Sequence, residues 1–361
     1  MIRWTESGRE RSAVWRSALG VPPPQRVVIA DDRTKAATAY RLACEGTALL
    51  WRGDFHNARQ LLSAMGRRCE AAAPGAGFHR HRQAQSQRAR TLGMLLIPYD
   101  ADHVVPLRRA PDVKEACAEV YGPTAAPGVG PLRELLGLIG AHEWRKKGVY
   151  VPALGARVHP HHGVFSPVRG EYVDLVAEEP LPGDRLAFDV GTGTGVLAAV
   201  LARRGIRHVV ATDLDRRAVE CAEDNVTRLG LEGRVEVVRA DLFPPGRAPL
   251  VVCNPPWLPA IPISPLDQAV YDPDGRMLEG FLSGLAEHLE PGGEGWLILS
   301  DLAEHLGLRT REQLLGAFTR AGLRVAGRRD VAPRHNRAKD AADPLHAARA
   351  AEVTSLWRLI R

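Results

Sequence analysis

Five short apolar runs in the second half of the chain restrict its fold more than any other feature. They are "RLAFDV", "HVVATDL", "VEVVRADL", "LVVCNP" and "GWLILSD". Between them lie stretches with helical spacing, "TGVLAAVLARRG", "DRRAVECAEDNVTRLG" and "GRMLEGFLSGLAEHL". Such alternation implies a parallel sheet covered by helices on both faces. "LRVAGRRDVAP" and "EVTSLWRLIR" read as two further strands around a polar, basic segment.

Four polar motifs sit where these strands end. Asp189 closes the first strand, and Gly191, Gly193 and Gly195 alternate through "DVGTGTGVLA" before a helix begins. Glycines there let a ligand approach the backbone and let the helix pack closely on the sheet. The spacing is G-x-G-x-G, not the dinucleotide pattern G-x-G-x-x-G. Asp213 follows in "VVATDLD", where a carboxylate can accept hydrogen bonds from both hydroxyls of a ribose. Asp215 in the same stretch suits a helix N-cap. Asp241 and Leu242 in "RADLFPP" end the third strand and can offer a carboxylate and a backbone to an adenine amino group. "NPPW", Asn254 to Trp257, ends the fourth. In an open α/β sheet this edge is where ligands bind.

The tetrapeptide has a chemical logic of its own. A conjugated NH₂ is a poor nucleophile because its lone pair is delocalised. Two acceptors on its hydrogens favour the pyramidal form in which that pair can attack. The Asn254 side-chain oxygen and the Pro255 carbonyl are candidates. Pro255 and Pro256 fix φ near −65° and remove two competing N–H donors. Trp257 can stack on a flat acceptor and set its angle of approach.

In this order and spacing the motifs resemble those of class I S-adenosylmethionine-dependent methyltransferases, in particular the subgroup with an Asn/Asp-Pro-Pro-aromatic motif that methylates planar nitrogens. The resemblance covers roughly residues 163–361 and is of the methyltransferase small-domain type. It implies a seven-stranded, mostly parallel Rossmann-like sheet and S-adenosyl-L-methionine as cofactor. Asp189, Gly191, Gly193 and Gly195 match the loop for the methionine end. Asp213 matches the ribose ligand, Asp241 and Leu242 the adenine contact, and Asn254, Pro255, Pro256 and Trp257 the catalytic turn. The aromatic position is more often Tyr or Phe in this subgroup, so Trp257 alters the pocket. Transfer from a sulfonium needs no metal, and no Cys/His cluster of metal-site type is present.

The first half is different in character. Residues 1–180 carry 25 Lys and Arg against 18 Asp and Glu, whereas the remainder carries 23 against 24. The densest basic stretch, "RRCEAAAPGAGFHRHRQAQSQRAR" (67–90), is what a phosphate-rich partner would favour, or else a solvated surface. Residues 1–25 read as an extended lead-in, Thr34 to Arg68 as helical, and 70–90 as a linker or long loop. "TLGMLLIPYD" and "HVVPL" read as strands, 131–148 as a helix, and "VYVPALGARVHP" as two short strands around Gly155. "FSPVRGEYVDLVAEEPLPG" reads as a helix with Ser166 as N-cap and Pro167 at its first position. The expected organisation is an N-terminal accessory domain over 1–148, mainly helical or α+β and suited to substrate recognition, and a methyltransferase domain over 149–361.

Three segments stay open: "HPHHG" (159–163) as a polar loop, a metal site or a lining of the active-site mouth; "YDPDGR" (271–276) as a lid or a turn; and "PRHNRAKDAADPLHAAR" (333–349) as a solvated loop or a substrate contact. The five cysteines are widely spaced and form no C-x-x-C, which with the absence of a secretory signal pattern or a long apolar run points to a cytoplasmic protein without a membrane span. The favoured acceptor is a base amine in RNA or a ribosome-associated substrate. "GVFSPVRGEYVDL" is similar to the segment before the cofactor loop in ribosomal small-subunit guanine methyltransferases. The alternatives are a protein glutamine amide, a small-molecule nitrogen, or a catalytically silent RNA-binding protein.

Overall fold

The computed structural model describes residues 1–18, 20–71, 77–260, 270–334, 340–341 and 343–361. The chain divides into two compact units, Met1–Glu143 and Trp144–Arg361. The expected boundary lies five residues later, because a helix ending at Lys147 runs across the division.

The N-terminal unit is built on a sheet, so the mainly helical alternative does not hold. Its elements are β1 (Ile2–Glu6), β2 (Arg9–Trp15), β3 (Arg26–Ala30), α1 (Ala36–Cys44), β4 (Thr47–Trp51), α2 (Phe55–Ala71), α3 (Phe78–Gly93), β5 (Leu95–Tyr99), α4 (Lys114–Tyr121), β6 (Gly128–Pro131) and α5 (Leu132–Lys147). Among the described residues the six strands are ordered β1-β2-β6-β5-β4-β3, with β3, β4 and β5 mutually parallel. The expected lead-in is instead a hairpin in which Ile2 faces Ala13 and Glu6 faces Arg9. Ser7 and Gly8 both have positive φ (51° and 73°), the two-residue turn that matches strand twist.

Three further segments differ from expectation. "TALLW" is the buried strand β4, not part of a helix; Gly46, at φ 76°, stops α1 just before it. A short, nearly all-apolar run has no periodicity to separate strand from helix. Residues 78–93 are helix, not linker, while 72–76 lie outside the described residues. Arg, Gln and Ala are good helix formers, but a helix without an apolar stripe is invisible to periodicity. "HVVPL" is not a strand: a 3₁₀ turn over Ala101–His103 leads into irregular chain, where Pro106 has no N–H to give a ladder.

The C-terminal unit opens with the short hairpin β7 (Val149–Val151) and β8 (Ala156–Val158). Then come α6 (Glu171–Glu178), β9 (Leu186–Val190), α7 (Val196–Arg203), β10 (His208–Asp213), α8 (Arg216–Arg228), β11 (Val235–Arg239), β12 (Ala248–Cys253), α9 (Arg276–His288), β13 (Leu289–Ser300), α10 (Leu302–His305), α11 (Arg311–Arg320), β14 (Arg324–Val331), α12 (His346–Ala351) and β15 (Thr354–Ile360). α6 starts at Glu171 rather than at Pro167. The Val168 N–H turns back to the Ser166 carbonyl (2.8 Å), and the apolar positions that a helix can bury begin only at Tyr172.

Among the described residues the large sheet runs β11-β10-β9-β12-β13-β15-β14; β15 alone is antiparallel to its neighbours. Side chains alternate between two cores. Ala187, Leu250, Val252, Trp296 and Ile298 face one. Phe188, Val190, Val251, Leu297 and Leu299 face the other, beneath α9 and α11. This is the period-2 pleat of strands buried on both sides. The chain moves outward from β9 to β10 and β11, then returns to the other side of β9 as β12. The order therefore reverses between β9 and β12, which opens a crevice at their carboxyl ends.

Candidate active site

Strand register places the motifs side by side. Val190 is level with Thr212 on one side and with Cys253 on the other. The glycine loop, Asp213 and Asn254 thus leave the sheet at one height, on either side of the reversal.

Gly191, Gly193 and Gly195 have φ of 73°, 56° and 78°, conformations that residues with a Cβ avoid. A Cβ on Gly195 would stand 3.3 Å from the Ala222 Cα, where α7 and α8 come together; a Cβ on Gly193 would enter open space. The Thr212 carbonyl accepts from the N–H groups of Gly191 (2.9 Å) and Thr192 (2.8 Å), and the Thr212 hydroxyl donates to the Leu242 carbonyl. Leu242 itself lies in the left-handed region at φ 69°. One buried threonine thereby joins the turns after β9 and β11.

Asp189 is 1% exposed and holds the loop from inside. Its Oδ2 accepts from the Thr192 hydroxyl (2.6 Å) and from the Ala198 N–H (3.0 Å) in the first turn of α7. Burial lifts its carboxyl to about 6, the neighbouring Asp213 adds to the rise, and the two hydrogen bonds oppose it. A folded pKa above the unfolded value favours the native state most below about 3.8, and that contribution is lost as pH rises through about 6. The difference is on the order of 3 kcal/mol. Relative to Asp189→Asn, wild-type unfolding free energy is expected to fall by about that amount between pH 4 and pH 7. Denaturant titrations across this range would refute the assignment if the difference stayed flat.

Asp213 accepts from the Gly193 N–H through Oδ2 and from the Asp215 N–H through Oδ1, each at 3.0 Å. Burial raises its pKa too. Asp215 caps α8 through the Arg217 N–H (3.0 Å). Asp241 stands apart: it is exposed, with an Arg276 Nη2 at 3.4 Å.

At the far wall, the Trp257 indole N–H donates to Asn254 Oδ1 at 2.9 Å. Indole is a donor only, so it selects the oxygen end of the carboxamide. Trp257 is half-buried and packs against both cores. The guanidinium of Arg169 lies 5.8 Å from its ring centroid, within cation–π range, and donates to Glu352 (3.2 Å), whose side chain is fully buried.

The sequence reading did not single out Arg169, Asp272 or Asn225. Asp272 caps α9, accepting from the N–H groups of Met277 (2.9 Å) and Leu278 (3.1 Å); its own N–H donates to the Leu258 carbonyl (2.8 Å), next to Trp257. "YDPDGR" is therefore a capping turn that anchors the tetrapeptide, and an Asp ahead of a helical pattern was its signal. Buried Asn225 donates to the Thr194 carbonyl (3.1 Å) and accepts from the His159 N–H (2.7 Å), tying "HPHHG" to the glycine loop. His161 completes that attachment through Asp224 on α8 (3.2 Å). Of the basic segment 333–349, Arg334 pairs with Asp174 (3.1 Å), and residues 335–339 and 342 lie outside the described residues.

Residues 155–321 match the family model of the methyltransferase small domain. The release factor glutamine methyltransferase of Cereibacter sphaeroides is 37% identical over 111 residues, covering 30% of this chain and 36% of that protein. The ribosomal protein L11 methyltransferase of Sorangium cellulosum is 35% identical over 135 residues, 37% of this chain and 35% of that one. The tRNA1(Val) (adenine(37)-N6)-methyltransferase of Bacteroides fragilis is 31% identical over 158 residues, 39% of this chain and 66% of that one. The chain thus spans about a third of the first two relatives. No helix among the described residues is long and apolar enough to cross a membrane.

Proposed function

We propose, from the premise that the C-terminal unit carries a methyltransferase small domain, that the protein is an S-adenosylmethionine-dependent N-methyltransferase whose acceptor is a base amine in RNA. The observation that carries the reading is an oriented Asn254 oxygen placed across the sheet's reversal point from a loop with three positive-φ glycines.

The residues present fit the cofactor. Gly193 leaves open space beside the methionine end that a Cβ would fill, while Gly191 and Gly195 let the loop pack tightly on Met277 and Ala222. Asp213 would take the ribose, and Asp241 with Leu242 the adenine. When bound, S-adenosylmethionine supplies a methyl group on a positively charged sulfur.

The chain's own residues act on the acceptor. Asn254 Oδ1 and the Pro255 carbonyl receive its two N–H groups. As the nitrogen gains positive charge those hydrogen bonds strengthen, so they favour the transition state over the ground state. Trp257 offers a stacking face, and Pro255 and Pro256 keep competing N–H donors out of the turn. Two relatives are named for targets with a conjugated NH₂, adenine N6 in tRNA and glutamine in a release factor. The basic excess of residues 1–180 supports the nucleic acid.

Labelled methyl from the cofactor, offered to total RNA and total protein together, is expected in material that resists protease and disappears with ribonuclease. Protease-sensitive label overturns the RNA reading and assigns a protein amide instead.

A further inference from the structure

α3 departs from the way helices in a folded unit normally earn their place. From His79 to Arg90 it contains no large apolar side chain and no carboxylate. Only Phe78, Thr91 and Leu92, at its two ends, are buried. The helix packs beside α2, and Arg88 pairs with Glu70 of that helix (3.0 Å). A helix that is polar on every side gains little by burial. Five of its six exposed residues are also ordered: His79, Arg80, Gln83, Gln87 and Arg90 recur at helical spacing and share one face, with Gln85 on the opposite side. Arg80 and Arg90 are about 15 Å apart along the axis. Every side chain on that stripe can donate hydrogen bonds.

We infer that this face of α3 is a docking surface for the phosphate backbone of RNA, with Arg80 and Arg90 as phosphate contacts and Gln83 and Gln87 as neutral donors between them. Its chemistry separates RNA from a protein partner. Protein interfaces centre on apolar and aromatic anchors, which this stripe lacks, whereas nucleic-acid interfaces are polar and strongly positive. The inference rests on the RNA reading proposed above and adds where the substrate is held.

The test uses the full chain and bulk tRNA as probe, with binding measured over a range of KCl concentrations. Arg80→Gln with Arg90→Gln removes two phosphate contacts and keeps good helix formers. Binding is expected to weaken roughly 10- to 30-fold at 0.1 M KCl, and the log–log salt slope to flatten by about 1.4 to 1.8. Arg80→Lys with Arg90→Lys should hold the slope. Arg9→Gln with Arg33→Gln removes the same charge from exposed positions elsewhere in the unit and should leave affinity within about twofold. Circular dichroism and calorimetric cofactor binding should not change in any variant. Three outcomes overturn the proposal: wild-type protein that does not bind tRNA, an unchanged slope in the Arg80/Arg90 variant, or equal competition by polyglutamate, which would assign the face to an acidic peptide. Methyl transfer is scored separately. Ribonuclease-sensitive label with normal tRNA binding by the variant removes the docking surface and keeps the function; protease-sensitive label with the expected slope change does the reverse.

Discussion

Asn254→Ala is expected to bind S-adenosylmethionine like the wild type and to transfer its methyl about 10²- to 10³-fold more slowly, the usual cost of losing one preorganised hydrogen-bond partner at a reacting centre. The separation follows from position. Asn254 leaves the sheet from β12, on the far side of the reversal from Asp213, and the glycine loop keeps its hydrogen bonds to Thr212, Asp189 and Asp213 without it. The bond to the acceptor counts in the rate because it strengthens as the nitrogen becomes cationic. The loss should fall on kcat as well as kcat/KM. Residual turnover is expected, since the Pro255 carbonyl belongs to the backbone and no side-chain replacement removes it. Asn254→Asp retains an acceptor and should recover part of the rate. Calorimetry for the cofactor and single-turnover kinetics for transfer measure the two halves. Wild-type transfer by Asn254→Ala would remove Asn254 from the mechanism, and loss of cofactor binding would move it to the cofactor site.

The strand ends were readable because each motif follows an apolar run long enough to declare itself, and a parallel sheet brings successive strand ends to one edge. The reading weakened where local pattern and local structure part company. β4 reads as part of a helix because its apolar run, Ala48 to Trp51, carries no period. α3 reads as linker because it has no apolar stripe at all. The β1–β2 hairpin was passed over although Ser7-Gly8 offered a turn and Ile2 and Trp4 alternate with polar neighbours. Within the candidate site, the placement of the motifs at strand ends is legible in the sequence, but their connections are not. Asp189 was expected beside the methionine end; it is buried and acts through the loop it holds. Asn225 reaches Thr194 from α8, and Arg169 reaches the ring of Trp257 from 88 residues away in sequence. Such contacts depend on tertiary packing, which spacing along the chain does not encode.

The indole of Trp257 has two separable roles, and two substitutions divide them. Trp257→Phe keeps an aromatic face and removes the N–H that fixes Asn254 Oδ1 at 2.9 Å. The carboxamide can then present either its oxygen or its NH₂ to the acceptor, and the second orientation meets the acceptor's hydrogens with hydrogens. One neutral hydrogen bond of about 1 kcal/mol corresponds to a five- to tenfold fall in kcat. Trp257→Ala loses the stacking face as well, worth about 1–3 kcal/mol, so kcat/KM should fall by roughly 30- to 10³-fold in all. Cofactor affinity should hold in both variants. The decisive comparison is a double-mutant cycle. If the indole acts through Asn254, Trp257→Phe in an Asn254→Ala background should cost nothing further, a coupling as large as the single effect. Additive losses would show that the ring acts on the acceptor alone, and wild-type rates in Trp257→Phe would leave the indole N–H without a catalytic role. Phe and the phenol ring of Tyr, the residues commoner at this position in the resembling subgroup, have no ring N–H. A coupled result would therefore mean that this chain orients its asparagine with a donor that those side chains lack.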